Sequence, residues 1–367
     1  MSKFSNRILQ ILQENHGNDL LDFLKSNELI KYIINKTKAA ERGSKSRASY
    51  ANIYAIYVLV EDYINNGFDK TGNYSMYNGA KFSDLLKRQK ALPFGSKLQN
   101  HGLNHRMNEE FKKFFPTSDH IPIIRDTSTN RYWINEGLIK QKSGNTIINL
   151  ASSIIQIINE YVAIRQNAFN LFIETIERLK TLNTKDNDQV ENFIIDLLKP
   201  NIDARVFEIV SYSILKYSYL NQSIHWGYEL DDLTEEHLTL YKTGRTNAND
   251  GGIDFVMKPL GRFFQVTETT DLKKYFLDID KLERFPLTFI IKTEEDVNEL
   301  RDQMEKKAKE TFHIESIVKK YMDCIEEVIN IPILKDHLTK SEQKGNLKEV
   351  LNEILIQSKV EFNYDED

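Results

Sequence analysis

Apolar residues recur at helical spacing through residues 4–35, where Ile8, Leu9, Ile11, Leu12, Leu20, Leu21 and Leu24 mark the repeat, and again through ASYANIYAIYVLVEDYI at 48–64. A stripe of period 3.6 turns one face of a helix toward a core, so the first 65 residues are predicted to be mainly helical. The segment between them, KTKAAERGSKSRAS, is basic and carries Ser and Gly, as a connection open to solvent or to phosphate would. Residues 67–80 form a polar loop, and KFSDLLKRQKAL after it reads as a short basic helix. From Ser96 onward a Ser-capped helix is expected, weakened by about 1 kcal/mol at Gly102 relative to Ala. RDTSTNRYWINEGLI at 125–139 reads as a β-turn with Ser128, Thr129 and Asn130 at its tip.

The second half has a different rhythm. A long amphipathic helix is predicted over about 149–182, and a polar break separates it from a helix that Pro200 stops. The next helix, DARVFEIVSYSILKYSYL, begins with Asp203 as its cap. Alternating patterns then mark candidate strands at 223–228, 237–242, 252–258, 262–269 and 286–292, with a helix at about 271–283 and two or three helices closing the chain. The fold class expected is therefore mixed α/β of the α+β kind, with a mostly helical domain over 1–148 and a sheet-bearing domain over 149–367.

Hydrophobic residues at 40% and charged residues at 28% suit a globular protein, and no apolar run approaches the roughly 20 residues of a membrane span. The N-terminus is amphipathic and resembles neither a secretory signal nor an Arg-rich transit peptide, so a cytoplasmic protein is expected. The lone cysteine, Cys324, lies in the apolar pattern IVKKYMDCIEEVI and reads as a buried small hydrophobe. Charge is distributed unevenly: residues 1–150 carry a net +8 and the remainder −13. A basic half of this kind points to a polyanion.

Within GGIDFVM, Ile253, Phe255 and Met257 take one strand face while Asp254 and Val256 take the other. In FFQVTE, Gln265 and Thr267 share a face about 7 Å apart. If the short KPLG connection makes these strands a hairpin, Asp254 and Gln265 approach closely enough to hold one hard cation through oxygen. His101 and His105, with Glu109 on the same helix face, invite a zinc reading, but no Cys or HExxH pattern accompanies them. No Walker loop, nucleophile elbow or dinucleotide fingerprint occurs.

Four pieces in order resemble the PD-(D/E)XK nuclease superfamily, in its Mrr-like and type II restriction endonuclease branch. Phe207-Glu208 is similar to the FE motif of the helix before the sheet, and Gly251-Gly252-Ile253-Asp254 to the Gly-Gly-hydrophobic-Asp strand. Phe264-Gln265-Val266-Thr267 resembles the hydrophobic-(E/Q)-hydrophobic-K strand, and Phe289-Ile290-Ile291 the next core strand. Together they cover about residues 203–292, a quarter of the chain, with ten residues between Asp254 and Gln265. The resemblance implies a restriction-endonuclease-like mixed sheet flanked by helices, with Mg²⁺ (Mn²⁺ substituting) held by Asp254, Gln265 and Glu208 to hydrolyse phosphodiester bonds. The family's Lys, two residues after the second ligand, is here Thr267. Three assignments stay open at this point: a lysine from elsewhere (Lys273 or Lys274, or Lys242); a shifted motif using Glu268, which a one-residue offset turns to the face of Phe264 and Val266; or a centre that does not cleave unaided.

The implied activity is that of a type II restriction endonuclease acting on double-stranded DNA as a homodimer. A modification-dependent or anti-phage nuclease and a noncatalytic DNA-binding subunit are the alternatives. Base reading needs donors and acceptors, which SKLQNHGLNHRMN supplies in Lys97, Gln99, Asn100, His101, Asn104, His105, Arg106 and Asn108. Lys45 and Arg47 in the basic connection and Arg131 beside the turn are placed to grip phosphates.

Overall fold

Ile8, Ile11 and Leu12, the stripe of the first helix, are fully buried in a computed structural model that describes residues 3–18, 25–38, 46–70, 73–96, 98–143, 146–181, 187–244, 253–268 and 273–362. The chain divides into two compact units, residues 1–172 and 173–367. The first is built on helices α1 (Lys3–His16), α2 (Glu28–Lys38) and α3 (Ser46–Asn65). Residues 53–60 of α3 are buried without interruption, which makes α3 the central helix of this unit. A small sheet of order β1-β3-β2 adds strands β1 (Ala80–Lys81), β2 (Ile123–Asp126) and β3 (Arg131–Ile134), with helix α4 (Phe82–Ala91) following β1. The β2–β3 turn has Ser128, Thr129 and Asn130 at its tip, as expected. Hydrogen bonds to Asp126 from the Ser128 and Thr129 side chains hold its carboxyl down at about 2.

The helix expected from Ser96 begins later. A π-helical turn, Gly102–Arg106, leads into α5 (Met107–Phe114), and no Ser96 cap is involved. A Cβ on Gly102 would lie 2.4 Å from the carbonyl oxygen of Ala51 on α3. The glycine is therefore the point where this segment meets the central helix, rather than a weak spot within an otherwise ordinary helix. Short helix α6 (Glu136–Ile139) and hairpin β4 (Lys140–Ser143) with β5 (Thr146–Asn149) precede α7 (Ala151–Lys180), the long helix expected at 149–182. The sequence-based division at 148/149 lies just ahead of α7, whereas the two compact units divide within it.

After the end of α7 the second unit continues with α8 (Asn187–Asp196) and α9 (Ala204–Ser218), the latter capped by Asp203 Oδ1, which accepts from Arg205 N at 2.9 Å. Hairpin β6 (Ser223–Trp226) and β7 (Thr234–His237) stands as a separate two-stranded sheet. The five-stranded sheet has the order β12-β11-β10-β9-β8. Its strands are β8 (Thr239–Lys242), β9 (Phe255–Lys258), β10 (Arg262–Thr267), β11 (Leu287–Ile291) and β12 (Ile325–Ile329), with helix α10 (Lys273–Lys281) between β10 and β11. Strands β8, β9 and β10 pair antiparallel, while β10, β11 and β12 pair parallel. The fold is thus a mixed α+β arrangement. Among the described residues no helix is long and apolar enough to cross a membrane.

Strands β1, β4 and β5 of the first unit lie outside the strands read from sequence, and in the second unit two more escape the pattern. In β7, Thr-Glu-Glu-His has no apolar alternation to read, and β12 follows α12 (Glu315–Asp323) so closely that IVKKYMDCIEEVI reads as one helix. Pairing with the buried strand β11 overrides that local tendency from Ile325 onward. Helices α11 (Val297–Phe312), α13 (Ile331–Gln343) and α14 (Leu347–Phe362) bring the helices after β11 to four. Cys324, at the α12–β12 junction, is buried, and burial pushes its thiol up.

Gly102→Ala is expected to destabilise the protein by about 1–3 kcal/mol, the range for forcing atoms into a packed contact. Urea unfolding measures it; an unchanged midpoint would show that the α3 contact yields freely.

Candidate functional site

The β9–β10 pairing sets the geometry. Its register, Arg262↔Met257, Phe263↔Val256 and Phe264↔Phe255, ends at Phe255, and Asp254 lies just ahead of β9. Gly261, at φ 65°, closes the KPLG turn that fixes this register. Asp254 is tied in by three bonds. Its N–H donates to Phe264 O at 2.9 Å, its carbonyl accepts from Thr243 N at 3.0 Å, and its carboxylate Oδ2 accepts from Val266 N at 2.7 Å. The carboxylate thus takes the place of a backbone carbonyl where the ladder would otherwise run out, and its position is set by the strands themselves.

Gln265 is half-buried. Its Nε2 donates to Val266 O at 3.2 Å, while its Oε1 is buried and accepts no hydrogen bond among the described residues. Leaving such an acceptor unsatisfied costs about 1–3 kcal/mol. Thr267, at the position of the family's lysine, is hydrogen-bonded to Tyr275 of α10, whose hydroxyl is pushed up by burial. Strand alternation puts Gln265 and Thr267 on the face of Phe263, Leu287 and Phe289, which α10, α11 and α12 cover.

The acids foreseen beside them lie across the sheet. Helix α9 packs on the Phe255 face, with the Tyr212 and Phe255 rings 5.3 Å apart. Glu208, buried on α9, accepts from Lys242 Nζ at 2.9 Å, and Lys242 is paired with Phe255 in the β8–β9 register. Glu268 forms an ion pair with Lys292 at 2.5 Å. The Lys292 side chain is 2% exposed and also donates to the carbonyl of Ile202, with its ammonium 5.6 Å from the centre of the Phe207 ring. Glu268 shares the Phe264 and Val266 face, as the shifted register required. The structure pairs Glu208 with Lys242 and Glu268 with Lys292 on the α9 side, and ties the Asp254 carboxylate to Val266, the residue after Gln265. Lys273 and Lys274 are exposed at the start of α10.

Lys292 escaped the sequence reading. Its signal was its position directly after the all-buried strand LTFII, where a lysine must find a partner. Among the described residues no group of three or more His, Cys, Asp or Glu side chains is arranged to hold a metal. Asp254 with the amide oxygen of Gln265 would supply two oxygen donors of the kind a hard cation takes, and the unsatisfied Oε1 fits that use.

In the first unit, the recognition segment divides by exposure. Gln99, Asn100, His101, His105 and Arg106 are exposed. Asn104 accepts from the Tyr132 hydroxyl at 3.2 Å, and Asn108 clasps Ile123 through both its amide atoms, at 2.7 and 3.0 Å. Arg131 donates to Gly79 O at 2.8 Å. Lys45, Lys97, the Arg47 side chain and the Gly251-Gly252 pair lie outside the described residues. No family model, curated protein or solved structure matches the chain.

Lys292→Met is expected to cost about 3 kcal/mol or more, because it strands the Glu268 carboxylate and the Ile202 carbonyl. Adding Glu268→Gln is expected to recover part of that loss. Denaturant titration of the single and double variants checks this, and additive losses would show that the pair is not coupled.

Proposed function

We propose that the second unit is a metal-dependent nuclease centre and that the protein is a type II restriction endonuclease acting on double-stranded DNA. The observation that carries this reading is the Asp254 carboxylate held by Val266 N–H, next along β10 from Gln265, whose Oε1 is buried and accepts no hydrogen bond among the described residues. Asp254 and Gln265 would hold Mg²⁺ or Mn²⁺ through carboxylate and amide oxygens. When bound, the ion supplies positive charge against the phosphate oxygens and makes water more acidic. Asp254 contributes the negative charge at the site, and its bond from Val266 N–H keeps the carboxylate aligned. Gln265 contributes a neutral oxygen, its amide oriented by the bond from its Nε2 to Val266 O.

The basic first half supports a nucleic-acid substrate, since lysines and arginines supply the sequence-independent part of DNA affinity. Gln99, Asn100, His105 and Arg106, exposed side by side, are the groups suited to base edges. Asn104 and Arg131 already bond within the protein, so their contribution here is to hold the β2–β3 hairpin and the π-helical segment in place.

A second reading, a noncatalytic DNA-binding subunit, is favoured by a different observation. Thr267 occupies the lysine position and is bonded to Tyr275, while Glu208 and Glu268 are each engaged by a lysine.

Incubation of the purified protein with unmethylated phage DNA and Mg²⁺ or Mn²⁺ separates the two. Cleavage abolished by a chelator is expected. Asp254→Ala is expected to lower it by more than about 100-fold, beyond the 10–100-fold typical of losing an outer-sphere partner of a metal site. Intact DNA with both metals would overturn the nuclease reading, and cleavage confined to methylated or hydroxymethylated DNA would redirect it to a modification-dependent nuclease.

A further inference from the structure

The hairpin β6–β7 departs from the rest of the second unit. Among the described residues its two strands pair only with each other, and all their residues except Ile224 are exposed, as is the whole loop 227–233 that joins them. A two-stranded hairpin alone is marginally stable in water. The loop is nonetheless held to one shape. Asp232 N donates to Glu229 O at 3.1 Å, and a Cβ on Gly227 would lie 2.2 Å from the Asp232 carbonyl oxygen, so the loop closes on itself where only a glycine fits.

What this loop displays alternates in kind. Tyr228, Leu230 and Leu233 interleave with Glu229, Asp231 and Asp232. Tyr228 is 95% and Leu230 88% exposed, and the Trp226 ring, at the end of β6, lies 6.4 Å from that of Tyr228. Large apolar side chains gathered in the open have the composition of a protein interface, in which Tyr, Trp and Arg are enriched.

Charge identifies the occupant. Residues 223–237 hold five acids, Glu229, Asp231, Asp232, Glu235 and Glu236, with no Lys or Arg among them. Glu235 and Glu236 are engaged within the hairpin, accepting from Ser223 Oγ at 2.5 Å and Trp226 Nε1 at 2.7 Å. Glu229, Asp231 and Asp232 are the exposed acids of the loop. Such a tip repels nucleic acid and anionic lipid, and it repels a copy of itself. A cationic polypeptide is attracted, and the aromatic pair narrows the choice. A guanidinium stacks on Trp and Tyr faces and meets a carboxylate through two parallel bonds, whereas an ammonium is a point charge without that planar fit.

We propose that the hairpin tip, residues 226–233, docks an arginine-bearing apolar segment of a partner protein. Trp226, Tyr228 and Leu230 supply the apolar ground of the contact, and Glu229, Asp231 and Asp232 take the guanidinium groups. Because the loop is closed before binding, little conformational freedom is lost on this side. The inference is independent of the nuclease reading, and its test is read without any cleavage.

The test uses the full chain and a synthetic peptide of about ten residues alternating Arg and Leu, followed by fluorescence anisotropy at about 0.15 M salt, where distant charges are largely screened. Binding to the wild-type protein is expected. Glu229→Gln with Asp231→Asn and Asp232→Asn is expected to weaken it about tenfold or more, and so is Tyr228→Ser with Leu230→Ser, which changes no charge. A peptide with Lys in place of Arg is expected to bind several-fold more weakly. Asp302→Asn, Glu310→Gln and Glu315→Gln together, which remove three exposed acids on α11 and α12, are expected to leave the affinity unchanged. Circular dichroism checks that each variant is folded. No binding by the wild-type protein, an affinity indifferent to the Tyr228 and Leu230 changes, an equal loss in the α11 and α12 variant, or equal affinity for the Lys peptide would each overturn the proposal.

Discussion

The bond from Val266 N–H to the Asp254 carboxylate is the constraint on which the candidate site depends. Strand side chains alternate with period two, so a slip of one residue between β9 and β10 would move Gln265 to the opposite face and bring Val266 into its place. The Asp254 backbone bonds, to Phe264 and from Thr243, hold the same residue from both neighbouring strands. One short acidic side chain therefore serves as a pin between the two strands. Removing it would loosen the pairing of the two strands at this position.

On the other face of the same sheet the electrostatics are closed. Two lysines, Lys242 and Lys292, are carried at strand ends into positions where water reaches them poorly, and each is matched by a carboxylate. Such pairs add little net stability over apolar residues of equal size, yet breaking one is costly because a charge is left behind. They bracket helix α9, Lys242 through Glu208 and Lys292 through the Ile202 carbonyl just ahead of the helix. The helix is thereby held against the sheet at two charged points as well as by the packing of Phe207 and Tyr212.

Much of the architecture was legible because periodicity survives in the sequence wherever one face is buried. The helix at 48–64, the Asp203 cap and the strands expected at 252–258 and 262–269 all follow from local pattern. What escaped follows from long-range partners. Strand β12 is a strand because β11 lies beside it, and nothing within Ile-Glu-Glu-Val-Ile distinguishes that state from a helix continuing out of α12. Asn104, Asn108 and Arg131 look in sequence like exposed groups awaiting a ligand, but each bonds to a residue of the same unit that is distant in the chain or across a turn. A polar side chain carries no mark of which backbone carbonyl it will find. For Lys292 the reverse holds, since a lysine at the end of an all-apolar strand advertises a buried partner without naming it.

The order of strands in the sheet has a consequence for how the protein is made. Strand β11, buried throughout, is flanked on one side by β10 and on the other by the edge strand β12, which begins at Ile325. During synthesis the segment carrying Asp254 and Gln265 leaves the ribosome well before β12, and until β12 arrives β11 is an open edge of unpaired backbone groups. Parallel strands joined through helices form slowly because their loops must close first. The basic first unit, by contrast, is complete in the chain from its first 172 residues. The nascent protein thus passes through a stage in which its basic half is finished while the strand pair bearing the acidic pin still lacks the sheet that will support it.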